Sequence, residues 1–421
     1  MQIEVVTIGD ELLLGYTIDT NAAYLARRLA EHGVEIARRT TCGDTAGSIA
    51  SAVGEALART GAVITTGGLG PTSDDLTKPS LAALFERDMV LDDAHLAWMR
   101  ERWATRFGRA MPEANRQQAM LPAGARKLVN RHGSAPGIWL EDEGGRWVAM
   151  LPGVPREMRG MLDDTLLPLV AARAGGARRV VRSRTLRTTG IGESAIADLI
   201  TALPGGVGAA QLAYLPNAEG TDLRLTVRNA SPEEADLRLA EAASRLRALL
   251  GDWIYGEDGA DLAAVVLELC RARAYTIGVA ESCTGGLLGG RLTAIAGSSD
   301  VVQGGVIAYS YEMKTALLGV PTALLTEHGA VSEPVARAMA AGARTVTGVD
   351  AALAITGIAG PGGGTDDKPV GTVWIALDVR GEVEARRVQL IGDRAEVRLR
   401  STQAALELLR RRLVREGSGA A

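Results

Sequence analysis

The chain has 421 residues, 46 Lys and Arg against 50 Asp and Glu, a formal net charge of −4 and 47% hydrophobic residues. This length exceeds one ordinary core, so two or three domains are expected. The acidic balance supplies no global basic field for a nucleic-acid backbone. No apolar run approaches a membrane span and no signal pattern opens the chain, so a cytoplasmic protein without membrane contact is expected. Cys42, Cys270 and Cys283 are odd in number and lack metal spacing, and the four histidines stand alone. Neither a disulfide framework nor a zinc site follows from that.

Strands at 3–8, 34–41 and 62–66 alternate with helices at 20–31, 45–59 and 76–86, which predicts a parallel, doubly wound α/β sheet. The first strand ends in Gly9-Asp10-Glu11 and the second near Asp44. The third runs into Gly67-Gly68-Leu69-Gly70-Pro71-Thr72-Ser73-Asp74-Asp75-Leu76-Thr77-Lys78. Glycines 67, 68 and 70 with Thr72 can wrap a phosphate, and the following helix adds its positive end. Asp74 and Asp75 can hold a divalent cation on that phosphate, or simply cap the helix after a turn. The Walker spacing is absent. In a parallel sheet all these strand ends meet at the C-terminal edge, where ligands collect. A further strand at 146–150 leads through Leu151-Pro152-Gly153-Val154-Pro155 into a helix reaching 169, and Gly175-Gly176 marks a boundary.

A smaller unit follows at 176–257. It has strands at 180–188 and 222–228, a Gly190-Ile191-Gly192-Glu193 corner, and a long helix capped by Ser231. The last unit, 258–413, carries strands at 275–280, 305–309, 351–356, 371–379 and 383–390 and a final helix from Arg394. Residues 414–421 are expected to be a disordered tail.

Within that last unit, Val279-Ala280-Glu281-Ser282-Cys283-Thr284-Gly285-Gly286 is an apolar strand breaking into a small-residue turn before a helix. Amide hydrolysis needs a nucleophile, a base and donors for an oxyanion. Ser282 can attack, and the amides of Thr284, Gly285 and Gly286 lie near a helix N-terminus. Lys314 is one of four lysines, with Lys78, Lys127 and Lys368, in an arginine-rich chain. Burial would lower its pKa enough to make it a base, and Tyr309 can relay or orient the proton. The plainer alternative makes Ser282 or Thr284 a helix cap and Lys314 a solvated residue. Cys283 is a second candidate nucleophile, though alternation points it to the other side of the turn. The loop from Thr356 through Gly357, Gly360 and Gly362 is almost free of side chains, as a close backbone approach to phosphate requires, or is merely flexible. Arg394 offers a guanidinium to a phosphate or carboxylate.

The corner at 281–286 is joined by Gly304–Tyr309, Gly329–Ser332, Thr356–Thr365 and Pro369–Thr372. Together they closely resemble the C-terminal domain of the CinA (competence/damage-inducible protein A) family, a nicotinamide-nucleotide amidase. That resemblance implies conversion of nicotinamide mononucleotide to nicotinate mononucleotide and ammonia without cofactor or metal. Ser282, Tyr309 and Lys314 would be the catalytic group, with Thr356 and Arg394 at the substrate. Gly9–Gly15, Asp19-Thr20-Asn21, Gly67–Lys78 and Leu151–Met158 resemble the molybdopterin-binding-like domain of the same family. It implies a divalent-metal-dependent ADP-ribose pyrophosphatase, with Asp10, Glu11, Asn21 and Lys78 at the substrate and Asp44, Asp74, Asp75 and Glu157 at the metal. The middle unit resembles the family's KH-type domain, but its corner is not the basic clamp of RNA binders. The family also suggests a homodimer. Two alternatives remain: a pterin-nucleotide binder without hydrolase activity at the N-terminus, or a non-enzymatic competence or DNA-repair adaptor.

Overall fold

A computed structural model of the protein describes residues 1–174 and 179–418. The Gly175-Gly176 boundary lies outside the described residues. The chain divides into two compact units, Met1–Arg182 with Val227–Leu237, and Ser183–Thr226 with Arg238–Ala421.

In the first unit, strands order as Glu35–Cys42, Gln2–Ile8, Ala62–Thr66, Trp147–Leu151, Gly137–Glu141 and Arg126–Leu128, the buried middle ones apolar and the two edge strands polar. The first four run parallel. The last two are antiparallel, so the sheet is mixed rather than wholly parallel. The cause is local: Asp142 accepts from the Arg146 amide at 2.9 Å, closing a tight reversal between Gly137–Glu141 and Trp147–Leu151. Helix Thr20–Glu31 starts where Asp19 accepts from the Ala22 amide, and buries Leu25 and Leu29 on one sheet face. Helix Ala46–Thr60 is capped by Thr45, closed by left-handed Gly61, and buries Ile49 and Val53 on the other. Each of these fully buried aliphatic side chains contributes roughly 1.5–3 kcal/mol.

The second unit holds a five-stranded sheet, Val302–Ile307, Ile277–Glu281, Ala351–Gly357, Thr372–Val379 and Glu382–Gln389. Its first three strands are parallel and the last two antiparallel to their neighbours. Helices Leu262–Arg271 and Arg394–Ser418 cover one face through Val266, Leu267, Leu406 and Leu409. Helix Glu333–Thr347 covers the other through Val335, Met339 and Ala343, against Ala280, Ala352 and Ala354. A smaller sheet orders Gln211–Pro216, Thr221–Ala230, Val180–Thr188 and Ile254–Glu257.

The expected disordered tail is corrected at its start. The last helix continues to Ser418, with Leu413 fully buried and Arg412 paired to Glu416 at 2.7 Å, one turn on. Residues 419–421 lie outside the described part. No described helix is long and apolar enough to cross a membrane.

Candidate functional site

Strand Ile277–Glu281 delivers Ser282 to the C-terminal edge of the parallel strands, where its amide bonds the Ile355 carbonyl at 3.0 Å. Lys314 lies on helix Tyr311–Leu318, which begins at Ser310, whose hydroxyl accepts from the Met313 amide. Its side chain is fully buried, the largest such side chain among the described residues. Its Nζ donates to Ser282 Oγ at 3.0 Å, to the Ala308 carbonyl at 2.7 Å and to the Tyr309 carbonyl at 3.1 Å. No carboxylate pairs with it, and burial lowers its pKa to about 8. A solvated helix lysine would look different on every count. Cys283 is also buried, and burial pushes its thiol up to about 11, so it is a poor thiolate source at neutral pH.

The oxyanion donors differ from expectation. Glu281, 1% exposed, accepts from the amides of Gly286 at 3.0 Å, Leu288 at 3.0 Å and Gly289 at 2.8 Å. The Gly285 amide closes a turn onto the Ser282 carbonyl at 3.1 Å. Gly285 and Gly286 are therefore committed to holding the corner. Among the described residues it is the Cys283 and Thr284 amides that donate no hydrogen bond. This role of Glu281 is not evident from the local sequence, which shows only an acid in a strand end. The one signal available was its place directly before a glycine-rich helix start.

Tyr309 is 62% exposed, and its hydroxyl takes a 3.3 Å bond from Arg394 rather than touching Ser282 or Lys314. Only its backbone carbonyl reaches the lysine. Arg394 also donates to the Gly360 carbonyl at 2.8 Å, and Gly360, at φ +83°, has no room for a Cβ beside Val370. Gly357 packs on Val373 and Thr372, whereas a Cβ at Gly362 would meet open space. The loop is stitched at its base by the Ile358 amide on Thr372 and the Gly371 amide on Ile358, so it is not simply slack. Thr356 is buried and its hydroxyl donates to the Ala330 carbonyl at 2.8 Å. One further residue was missed. Arg398, one turn after Arg394, donates to the Thr284 carbonyl at 2.6 Å, and its Nε is buried without a partner. Among the described residues neither arginine makes an ion pair, whereas Arg410, Arg411 and Arg412 further along the same helix do. A spacing of four on one helix was the available signal, hidden among the many Arg of that helix.

In the first unit a cavity of about 480 Å³ opens where the four parallel strands end. Glu11, Asn21, Asp44, Gly67, Gly68, Gly70, Asp74, Asp75 and Glu157 line it. Gly67, at φ +111°, lies so close to the Ile8 carbonyl that a side chain would not fit, and Gly68, at φ +64°, packs likewise on Thr77. Asn21 donates to Gly153 at 2.7 Å and to Thr66 at 3.2 Å, tying two strand ends together.

Three expectations fail here. Lys78 is not in the lining: it is 3% exposed and its ammonium donates to the Gln117 carbonyl, with burial lowering its pKa to about 8. Thr72 is turned away onto Asp75, through its hydroxyl at 2.5 Å and its amide at 2.8 Å. Asp10 is also outside the lining: its amide donates to the Asp44 carboxylate at 3.0 Å, and its own carboxylate accepts from the Asp44 amide at 3.3 Å.

The four acids proposed for a metal share the cavity but not a centre. Asp75 is occupied by the Gly70 amide at 2.7 Å and by Thr72, and Glu157 by Asn130 at 2.6 Å. Among the described residues no three His, Cys, Asp or Glu converge to hold a metal ion. Such a site does not fit a resident, all-protein cage. It does fit a cation of the magnesium type, which needs one or two carboxylates and takes its remaining ligands from phosphate and water. The exposed Asp74 and the Oδ1 of Asp44, whose Oδ2 already accepts from the Asp10 amide, are the groups left for that task.

Residues 259–413 match the model of the CinA C-terminal domain, 4–172 that of the "Probable molybdopterin binding domain", and 183–256 that of the damage-inducible protein CinA KH domain. A CinA-like protein of Gemmatimonas aurantiaca is 61% identical over 99% of this chain and 97% of its own length. A CinA-like protein of Geobacter sulfurreducens is 43% identical over 98% of this chain and all of its own. The crystal structure of the competence damage-inducible protein A of Klebsiella pneumoniae is 38% identical, covering 36% of this chain and 95% of that one with a TM-score of 0.36. With a molybdopterin-binding-type domain, a KH-type domain and a CinA C-terminal domain in this order, and relatives alike from end to end, the chain belongs to the CinA family.

Proposed function

We propose that the C-terminal domain hydrolyses the carboxamide of nicotinamide mononucleotide. The observation that carries this reading is the 3.0 Å contact of Lys314 Nζ with Ser282 Oγ inside a buried corner that offers the lysine no carboxylate. In its neutral form Lys314 takes the Ser282 proton as Oγ attacks the amide carbon, a distance within proton-transfer reach. The Cys283 and Thr284 amides stabilise the oxyanion. Lys314, now an ammonium, returns the proton to the leaving nitrogen, and ammonia departs from a nicotinyl ester on Ser282. Water activated by Lys314 then cleaves that ester, releasing nicotinate mononucleotide and restoring the serine. Arg394 and Arg398, with the 360–363 loop, receive the phosphate. Ammonia release from nicotinamide mononucleotide by the purified full chain tests this, and folded protein releasing none would sink it.

The N-terminal domain is read as an ADP-ribose pyrophosphatase yielding AMP and ribose 5-phosphate. Support comes from a nucleotide-sized cavity with a glycine-rich loop at one edge and acids around it. When bound, a divalent cation held by Asp74 and Asp44 would neutralise charge on the diphosphate. The chain's own contribution is to fix the Gly67–Gly70 loop through Asp75 and to orient the ligand. Formation of AMP from ADP-ribose across several divalent cations tests it. A pterin-nucleotide binder is the competing reading for this cavity, and binding without AMP formation would favour it. In both readings the protein acts on small nucleotides, and a homodimer in the cytoplasm is the setting we propose.

A further inference from the structure

One side chain in the N-terminal cavity has no place in the phosphate-binding arrangement. Gln118 is 5% exposed, lines the cavity, and its Oε1 is buried without a hydrogen-bond partner. Its Nε2 donates no bond among the described residues either. Buried side-chain amides are almost always partnered, because an unmet polar atom away from water is costly. An unmet amide in a cavity wall therefore points to a ligand that completes it.

Its mounting is rigid. Gln118 sits in the 3₁₀ turn Glu113–Ala119. On one side the buried Lys78 donates to the Gln117 carbonyl, and on the other the Asp92 amide donates to the Ala119 carbonyl at 2.9 Å. This also gives the scarce Lys78 a use, as a positioning residue behind the cavity wall rather than a phosphate ligand. Asn21 Oδ1 is likewise buried without a partner, but its Nδ2 is consumed by Thr66 and Gly153, leaving an acceptor only. Gln118 differs in carrying both an acceptor and a donor on one planar amide. The nearby Ala135, 6% exposed, adds an apolar surface of the kind a flat ring rests on.

We propose that Gln118 reads the base of the bound nucleotide, accepting from the 6-amino group of an adenine and donating to its N7. A glutamine carboxamide matches that pair of atoms in a bidentate fashion. Hypoxanthine, with an acceptor at both positions, keeps the bond at N7 but sets its O6 against Oε1, so the two contacts offset each other and the analogue gains nothing from Gln118. The inference rests on reading this cavity as a nucleotide site, and deepens it by naming the base.

The test compares full-length wild type with Gln118→Met, nearly equal in size but apolar, on ADP-ribose and on its hypoxanthine analogue. Wild type should favour ADP-ribose at least tenfold in kcat/KM. Gln118→Met should lose that preference by falling on ADP-ribose alone, with the analogue's turnover intact as the sign of an undamaged pocket. An unchanged ratio, or an equal fall on both substrates, would overturn the proposal. Wild type hydrolysing neither would instead refute the pyrophosphatase reading. Calorimetric binding of AMP against IMP then decides on Gln118: an AMP preference lost in Gln118→Met supports it, and equal or absent binding of the two overturns it.

Discussion

The C-terminal corner and the N-terminal cavity both lie at the C-terminal edges of parallel strands, yet they are built in opposite ways. In the corner the reacting groups are already in contact and dry: a buried amine touches a serine hydroxyl, and a buried carboxylate spends itself on three backbone amides to hold them there. In the cavity the acids bond to loop amides and to Asn130, and the space between them is open. The first arrangement suits covalent chemistry, where pKa and placement of two atoms decide the rate. The second suits a polyanion that brings part of its own coordination. The same strand-edge geometry thus supports either design, depending on whether the loop after the strand ends in a hydroxyl or in acids.

The sharpest way to break the comparison is to remove the prebuilt pair. Ser282→Ala should lower amidase kcat on the order of 10⁴-fold or more while leaving ADP-ribose hydrolysis unchanged. Lys314→Arg should be similarly inactive, because a guanidinium stays protonated. Coupled assays of ammonia and AMP on the same preparation read both, and substantial amidase activity in Lys314→Arg would exclude the lysine as base.

Asp75→Ala should cost about 100-fold in ADP-ribose hydrolysis by loosening the Gly70–Thr72 loop, with the apparent affinity for the divalent cation unchanged. Asp74→Ala should weaken that cation affinity instead. Metal titrations of both variants separate strut from ligand, and a shifted metal affinity in Asp75→Ala would restore it to the ligand set.

Arg398→Ala should raise KM for nicotinamide mononucleotide about tenfold, roughly 1.4 kcal/mol. Turnover of the phosphate-free riboside should not change. Equal losses on both would make Arg398 a purely structural support of the Thr284 carbonyl.

The pH dependence is smaller in scale but directional. With Lys314 at about 8, amidase kcat/KM should climb tenfold per pH unit below that value and level off above it. Its folded pKa lies below the ordinary 10.5, so the folded state binds fewer protons than the unfolded one between these values. Stability therefore rises with pH across roughly 8 to 10.5, by ~3 kcal/mol at most. Lys314→Met should lack that rise in chemical-denaturation series, and an identical rise in the variant would assign it to other groups.

Much of this protein was legible from local chemistry. Apolar runs and caps marked the strands and helices, as Asp19 and Thr45 show, because both signals act within a few residues. The Ser282 corner and the scarce Lys314 were visible as candidates, since a strand-to-helix turn is itself a local feature. Partners far apart in sequence were not legible. Ser282 and Lys314 lie 32 positions apart, yet the fold brings Oγ and Nζ to 3.0 Å. Lys78 and Lys314 are both rare, buried lysines with lowered pKa, and only their surroundings, a backbone carbonyl for one and a serine hydroxyl for the other, tell them apart. The sequence by itself determined which segments form strands, turns and helices, because periodicity and capping depend on nearest neighbours. The tertiary structure decided which polar groups are already satisfied and which remain for a ligand, because that depends on donors and acceptors brought together from across the chain.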